Sequence, residues 1–242
     1  MLSIKNLNLT LGVKHVLHNV TLNIPIQGEI IGVFGPNGAG KSSLFKSIIG
    51  EFKYSGQINY QNKPITNHLK AITYIPQKSQ IDLDFPIDVT NVIISGSYKN
   101  IGWFKKKGHE TKDKLNELLK KMELEDLRHR QISQLSGGQL QRVLIARALM
   151  SESDIYLLDE PFVGVDFRSE QIIMTQLKQL KEAGKLLLIV HHDLSSAETY
   201  FDRIILINKT VKFFGDSKQA MEPEQINSVF LSVNKETKGS YA

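Results

Sequence analysis

The chain has 242 residues, 41% hydrophobic and 23% charged, a balance that suits one sizeable globular domain and argues against disorder. The absence of cysteine excludes disulfides and thiolate metal sites, and the formal charge of +5 comes without the aromatic-interleaved basic motif of a nucleic-acid binder. No signal peptide is visible at Met1–Thr10 and no apolar run reaches the roughly 18 residues that span a bilayer, so a role at a membrane would have to pass through a partner.

From the N-terminus, Leu2, Ile4 and then Val16 to Ile24 alternate with polar residues, which predicts antiparallel strands with turns near Gly12 and between Pro25 and Gly28. Glu29 to Phe34 is an apolar strand running straight into a glycine-rich loop. The helix after it starts at Lys41, carries Leu44, Ile48 and Ile49 on one face and stops at Gly50. Short strands follow at Gln57 to Tyr60 and Ala71 to Ile75, the second ending at Pro76 and Gln77. From Val89 to Met150 the pattern is helical: Leu115, Leu118, Leu119 and Met122 share one face, and a helix from Ser136 buries Leu140, Val143, Leu144 and Ala148. Much of the excess positive charge lies between Lys99 and Arg130, including Lys105, Lys106 and Lys107; it reads as a solvated face, with anionic lipid as the alternative. Strand and helix then alternate: strand Ile155 to Leu158, helix Ser169 to Ala183 closed by Gly184, strand Leu186 to Val190, and Arg203 to Asn208 opening a terminal hairpin.

The loop Gly35, Pro36, Asn37, Gly38, Ala39, Gly40, Lys41, Ser42 stands between a strand and a helix, the context in which backbone N–H groups cradle phosphates. Lys41 should reach the β- and γ-phosphates of ATP and Ser42 should ligate Mg²⁺. Ile155 to Leu158 delivers Asp159, a second Mg²⁺ partner, and Glu160 one residue on can polarise an attacking water. Together these elements predict an α/β fold with a P-loop NTPase-type mixed sheet core at 1–87 and 151–232. To the core belong an N-terminal antiparallel β subdomain, an inserted α-helical lobe at 88–150 and a frayed tail at 233–242.

Leu135, Ser136, Gly137, Gly138, Gln139 offer a second small-residue helix start. Ser136 with Gln139 satisfies a capping box without any ligand. That cap does not account for two glycines in the first turn, each costing up to about 1 kcal/mol against alanine, whereas bare amides at an anion site would.

Taken in order, the glycine-rich loop, Gln77, Leu135 to Gln139, Leu157 to Pro161, Gly164 to Asp166 and His192 with Asp193 resemble the motifs of ATP-binding cassette (ABC) ATPases over almost the whole chain. The resemblance implies a homodimer that closes head to tail around two ATP molecules. Each ATP is then held by one copy's loop, Gly35 through Ser43, and by the other copy's Ser136, Gly137, Gly138 and Gln139. It also implies that Gln77 touches Mg²⁺ and the attacking water, that Asp166 orders the interface, and that His192 holds the γ-phosphate beside Glu160. His191 is then a packed or solvent-side neighbour, because successive strand-end residues point apart. One position departs from the pattern: where the family stacks an aromatic on the base, this chain has Leu11, which implies looser base discrimination or another residue over the base.

Further likeness lies in Gln77 to Asp88, Ser95 to Tyr98, Pro161 to Asp166, Val190 to Ser195 and Tyr200 to Arg203, which resemble the ATPase subunits of bacterial manganese, zinc and iron importers. This resemblance implies an ATPase at the cytoplasmic face of the cell membrane, working with integral permease subunits and indirectly with a metal-binding lipoprotein, and with no nucleic acid. Manganese is the first expectation for the cargo and zinc or iron the next. A siderophore or haem importer, or less readily a soluble non-transport ABC ATPase, is the alternative. Phe85, Ile87, Tyr98, Trp103 and Phe104 are candidates for the permease-docking groove, with an internal lobe core the equal alternative for any single one, while Asp82, Asp84 and Asp88 are solvated or partner-facing.

Overall fold

The computed structural model describes residues 1–98 and 108–231; Trp103, Phe104, the lysines 105–107 and the tail 233–242 lie outside them. Strand β1 (Leu2–Leu11) turns at Gly12 into β2 (Lys14–Ile24), and β3 (Glu29–Phe34) leads through the glycine loop into helix α1 (Lys41–Ile48). Then come β4 (Ser55–Tyr60), β5 (Lys63–Pro64) and β6 (Ile72–Ile75), which starts one residue later than the apolar pattern suggests. The helical stretch resolves into α2 (Val89–Ser95), α3 (His109–Lys121) and α4 (Gly137–Met150), with short 3₁₀ turns between the last two. Beyond it lie β7 (Ile155–Asp159), α5 (Phe167–Glu182), β8 (Leu186–Val190), β9 (Arg203–Asn208) and β10 (Thr210–Asp216).

Among the described residues these strands form two sheets. One is antiparallel, in the order β2-β1-β4-β5; the other runs β10-β9-β3-β8-β7-β6, parallel except for the edge hairpin β9–β10. The central strands are buried on both faces, which is why β8 reads as the unbroken run Leu186, Leu187, Leu188, Ile189, Val190. Alternation sorts their side chains between two cores. Ile31, Val33, Leu188 and Val190 join the apolar cluster shared with α1 and the antiparallel sheet; Ile30, Phe34, Leu187 and Ile189 join the one shared with α2, α3, α4 and α5. The helices of segment 88–150 thus sit on one face of the larger sheet through a continuous core.

Register is what matters for the site. Val33 and Asp159 both pair with Val190, and Ile75 pairs with Leu158, so β3, β8, β7 and β6 end at one level. The residues that follow these ends emerge together at the carboxyl edge of the sheet, where open α/β folds place their ligands. No helix among the described residues is long and apolar enough to cross a membrane.

Candidate functional site

The glycine loop and the β1–β2 hairpin enclose a cavity of about 330 Å³, lined by Leu11, Lys14, Val16, residues 37–43 and Glu160. Leu11 lines this cavity, and the alternation of β2 brings Lys14 and Val16 to it. Gly40 has φ +96°, and a Cβ there would sit 2.5 Å from Leu17 Cδ2, so only glycine fits this end of the loop. It is also the N-cap of α1 and offers no side chain to the helix's first amides, and no acidic residue lies in the first turn. By contrast α2, α4 and α5 are capped by Asp88, Ser136 and Asp166. Helix α3 also starts without a side-chain cap, at Gly108, but α1 is the helix whose bare first turn opens on the cavity, and its N–H groups and dipole suit an anion.

Lys41 is 6% exposed, and its ammonium donates to the carbonyls of Gly35 at 2.7 Å and Pro36 at 3.0 Å. Burial lowers its pKa, against the opposing pull of Glu160 and Asp159. Two neutral acceptors for three donors leave a desolvated cation suited to a phosphate oxygen. Ser42 Oγ donates to Asp159 Oδ1 at 3.1 Å, and Tyr74 Oη donates to Asp159 Oδ2 at 3.3 Å. Burial raises the pKa of Asp159, which is 2% exposed, so its carboxylate gains from a cation. The paired Ser42 hydroxyl and Asp159 carboxylate fit Mg²⁺, which takes few protein oxygens and keeps water and phosphate ligands, whereas Gln77 Oε1 accepts from Ser79 Oγ at 3.2 Å. Tyr74 carries no sequence signal, since it sits mid-strand on β6.

Glu160 is bonded to two of the other predicted residues. Its Oε2 accepts from Gln77 Nε2 at 2.5 Å and its Oε1 from His192 Nε2. Its backbone has φ +52°, a left-handed conformation that costs a non-glycine residue of order 1–3 kcal/mol and that collects at functional sites. His191, next to His192, is packed instead. Its ring lies 5.6–5.8 Å from those of Phe162, Phe201 and Phe34, its Nε2 is 2.9 Å from Ser196 Oγ, and burial lowers its pKa.

The second helix start is built as the capping box requires. Gln139 N donates to Ser136 Oγ at 3.2 Å and Ser136 N donates to Gln139 Oε1 at 2.9 Å. The two glycines also have a packing reason that local sequence does not disclose. A Cβ on Gly137 would meet the Gly164 carbonyl at 2.8 Å, and one on Gly138 would meet Asp166 Oδ2 at 2.3 Å and Ser169 Oγ at 2.7 Å. Asp166 caps α5, which therefore starts at Phe167 rather than Ser169. None of Ser136 to Gln139 lines the cavity beside Lys41. Phe85 and Tyr98 are exposed and Ile87 is half-buried against the core.

The profile of the family described as ABC transporter matches residues 17–163. The chain is 44% identical over 223 residues to the manganese transport system ATP-binding protein MntB of Halalkalibacterium halodurans, covering 91% of this chain and 89% of that one. It is 42% identical over 228 residues to the zinc transport system ATP-binding protein TroB of Treponema pallidum, covering 94% and 85%. A solved dimeric structure of a bacterial ABC transporter cassette superposes with a TM-score of 0.77 at 31% identity, covering 90% of this chain and 99% of that chain.

Proposed function

We propose, on the premise that this chain belongs to the ABC transporter family and is an ATPase of it, that it powers the import of a divalent metal ion, manganese first and zinc or iron next. Names borne by relatives above 40% identity support the cargo class. The chain would act as a homodimer at the cytoplasmic face of a bacterial membrane, against permease subunits fed by a metal-binding lipoprotein.

One observation carries the head-to-tail arrangement: the cavity beside Lys41 holds Glu160 but none of Ser136 to Gln139. A second copy, turned to face the first, brings that helix start to the phosphates. That the cassette this chain resembles is dimeric supports a pairing of two copies. Segment 88–150 then serves as the lobe that carries Ser136 to the partner's nucleotide.

Within each site Lys41 and the amides of residues 38–43 bind the phosphates, and Leu11, Lys14 and Val16 line the base end. Ser42, Gln77 and Asp159 would hold Mg²⁺, which supplies charge neutralisation to the phosphate oxygens. Glu160 accepts the proton of the attacking water, and Gln77 and His192 hold its two carboxylate oxygens until the partner closes. His192 then holds the γ-phosphate. Phe85, Ile87 and Tyr98 belong to the permease-docking side.

Glu160→Gln tests this reading. It keeps the size and one accepting oxygen, turns the other into an NH₂ donor to which Gln77 can answer by presenting its own Oε1, and removes the proton acceptor. ATP binding should persist, turnover should fall about 10²- to 10⁴-fold, and the protein should collect as an ATP-dependent dimer on size exclusion. Undiminished hydrolysis removes Glu160 from its role. Manganese content of cells lacking the chain tests the cargo; loss of zinc or iron alone would reassign it.

A further inference from the structure

Lys78 has no part in the reading so far, yet it touches two of the segments that reading depends on. Its ammonium donates to the carbonyl of Gly137 at 3.2 Å and to that of Gly164 at 3.3 Å. Gly137 is the first residue of α4, directly after Ser136, and Gly164 lies two residues before the cap Asp166. These two turns come from opposite ends of the 137–164 segment and meet closely enough that a Cβ on Gly137 would stand 2.8 Å from the Gly164 carbonyl. An ammonium shared between their carbonyls ties them where contact alone would let them slide. The neighbouring side chain points to the other partner: Gln77 Nε2 donates to Glu160 Oε2 at 2.5 Å. Two consecutive residues after β6 therefore hold the carboxylate of this copy's site and the helix start that serves the other copy's site. The Lys78 side chain is partly buried, which lowers its pKa, while its two bonds to neutral carbonyls lie at the surface.

We propose that Lys78 is a positioning residue that sets the Ser136 helix start and the Asp166 turn in register with the Gln77 segment, so that nucleotide-driven pairing of two copies depends on it. The inference rests on the head-to-tail reading above. It predicts damage to pairing without damage to the cradle, because no contact of Lys78 reaches residues 35–43 among the described residues.

The test uses the full chain carrying Glu160→Gln, alone and with Lys78→Met or Lys78→Arg. Fluorescent trinitrophenyl-ATP reports nucleotide affinity, and size exclusion with light scattering reports the chain concentration at half-dimerisation in ATP. Lys78→Met should leave nucleotide affinity within about threefold and raise the half-dimerisation concentration about tenfold or more, the scale of a lost charge-assisted bond. Lys78→Arg, which can still donate to both carbonyls, should restore pairing to within about threefold of the parent. A Lys78→Met protein that dimerises like its parent, or that loses nucleotide affinity in the same proportion, overturns the inference. A parent that stays monomeric in ATP sinks the head-to-tail reading and this inference with it, whereas a dimerising parent beside an equally dimerising Lys78→Met sinks the inference alone.

Discussion

Replacing Gly138 with alanine separates the two accounts of why the signature helix begins with glycines. The new methyl carbon would stand 2.3 Å from Asp166 Oδ2, 2.7 Å from Ser169 Oγ and 3.1 Å from Ser169 Cβ. The nearest atom cannot swing aside freely. Asp166 accepts from Ser169 N at 2.9 Å through Oδ1 and from Ser169 Oγ at 2.8 Å through Oδ2, and it caps α5 in doing so. Either that cap opens or α4 and α5 move apart, and overpacking of this kind costs about 1–3 kcal/mol. Alanine's better helix propensity returns at most about 1 kcal/mol. Gly138→Ala should therefore destabilise the nucleotide-free chain by a net of about 0–3 kcal/mol, read as a shift in the urea midpoint by circular dichroism. Ser169→Ala removes the hydroxyl at 2.7 Å and releases the Asp166 oxygen it holds. The double variant should then be less destabilised than the sum of the singles by about 1 kcal/mol. A cycle additive to within about 0.5 kcal/mol would refute the packing account and leave the anion site as the whole reason for this glycine.

Leu11→Tyr should tighten both ATP and GTP by about 5- to 150-fold in dissociation constant, since an aromatic surface adds about 1–3 kcal/mol of stacking with either purine; unchanged affinity on fluorescent-nucleotide displacement would place the base away from the Leu11 end of the cavity. A third outcome concerns the far end of β7, where Tyr60 Oη donates to Asp154 at 2.6 Å and Lys185 Nζ donates at 2.9 Å. The tyrosine bond first, and then the lysine, hold the Asp154 carboxyl below the usual carboxylate range, while burial and this same acid push Tyr60 up to about 12. Because the folded pKa is the lower one, this stabilisation is present above the unfolded value of about 3.9 and is lost as pH falls through the folded one. The Asp154 side chain is 44% exposed, so solvent screening keeps the effect below about 1 kcal/mol. Asp154→Asn should lower the melting temperature at pH 7 and flatten its fall below about pH 4; an unaltered acid limb would refute the assignment.

Residues whose chemistry is local were legible, and residues whose partners are distant were not. The glycine loop could be read because a phosphate cradle constrains a run of neighbours, and the Ser136 cap because its partner Gln139 is three residues away. Alternation at a strand end said only that one of His191 and His192 turns away from the site; that His191 packs among the rings of Phe34, Phe162 and Phe201 rather than facing solvent was not legible. The start of α5 was misplaced because Phe167 is 76% exposed and breaks the apolar period, while the cap that fixes the boundary is Asp166. Gln77 with Glu160, Tyr74 with Asp159 and Lys78 with Gly137 are each pairs that meet only once the sheet is assembled.

The assembly that unites them is a matter of register more than of motif. Gly35, Glu160 and His191 each follow directly on a strand end, and Gln77 follows β6 by two residues. Val33 and Asp159 are levelled with Val190, and Ile75 with Leu158, because parallel strands buried on both faces cannot slip by one residue without exchanging their two cores. Such a slip would carry Asp159 away from Ser42 and Glu160 away from Gln77 and His192, leaving every motif intact in sequence and none of them in contact. The apolar runs of β3, β7 and β8, which bear no chemistry, are thus what hold the carboxylates, the lysine and the imidazole at one edge.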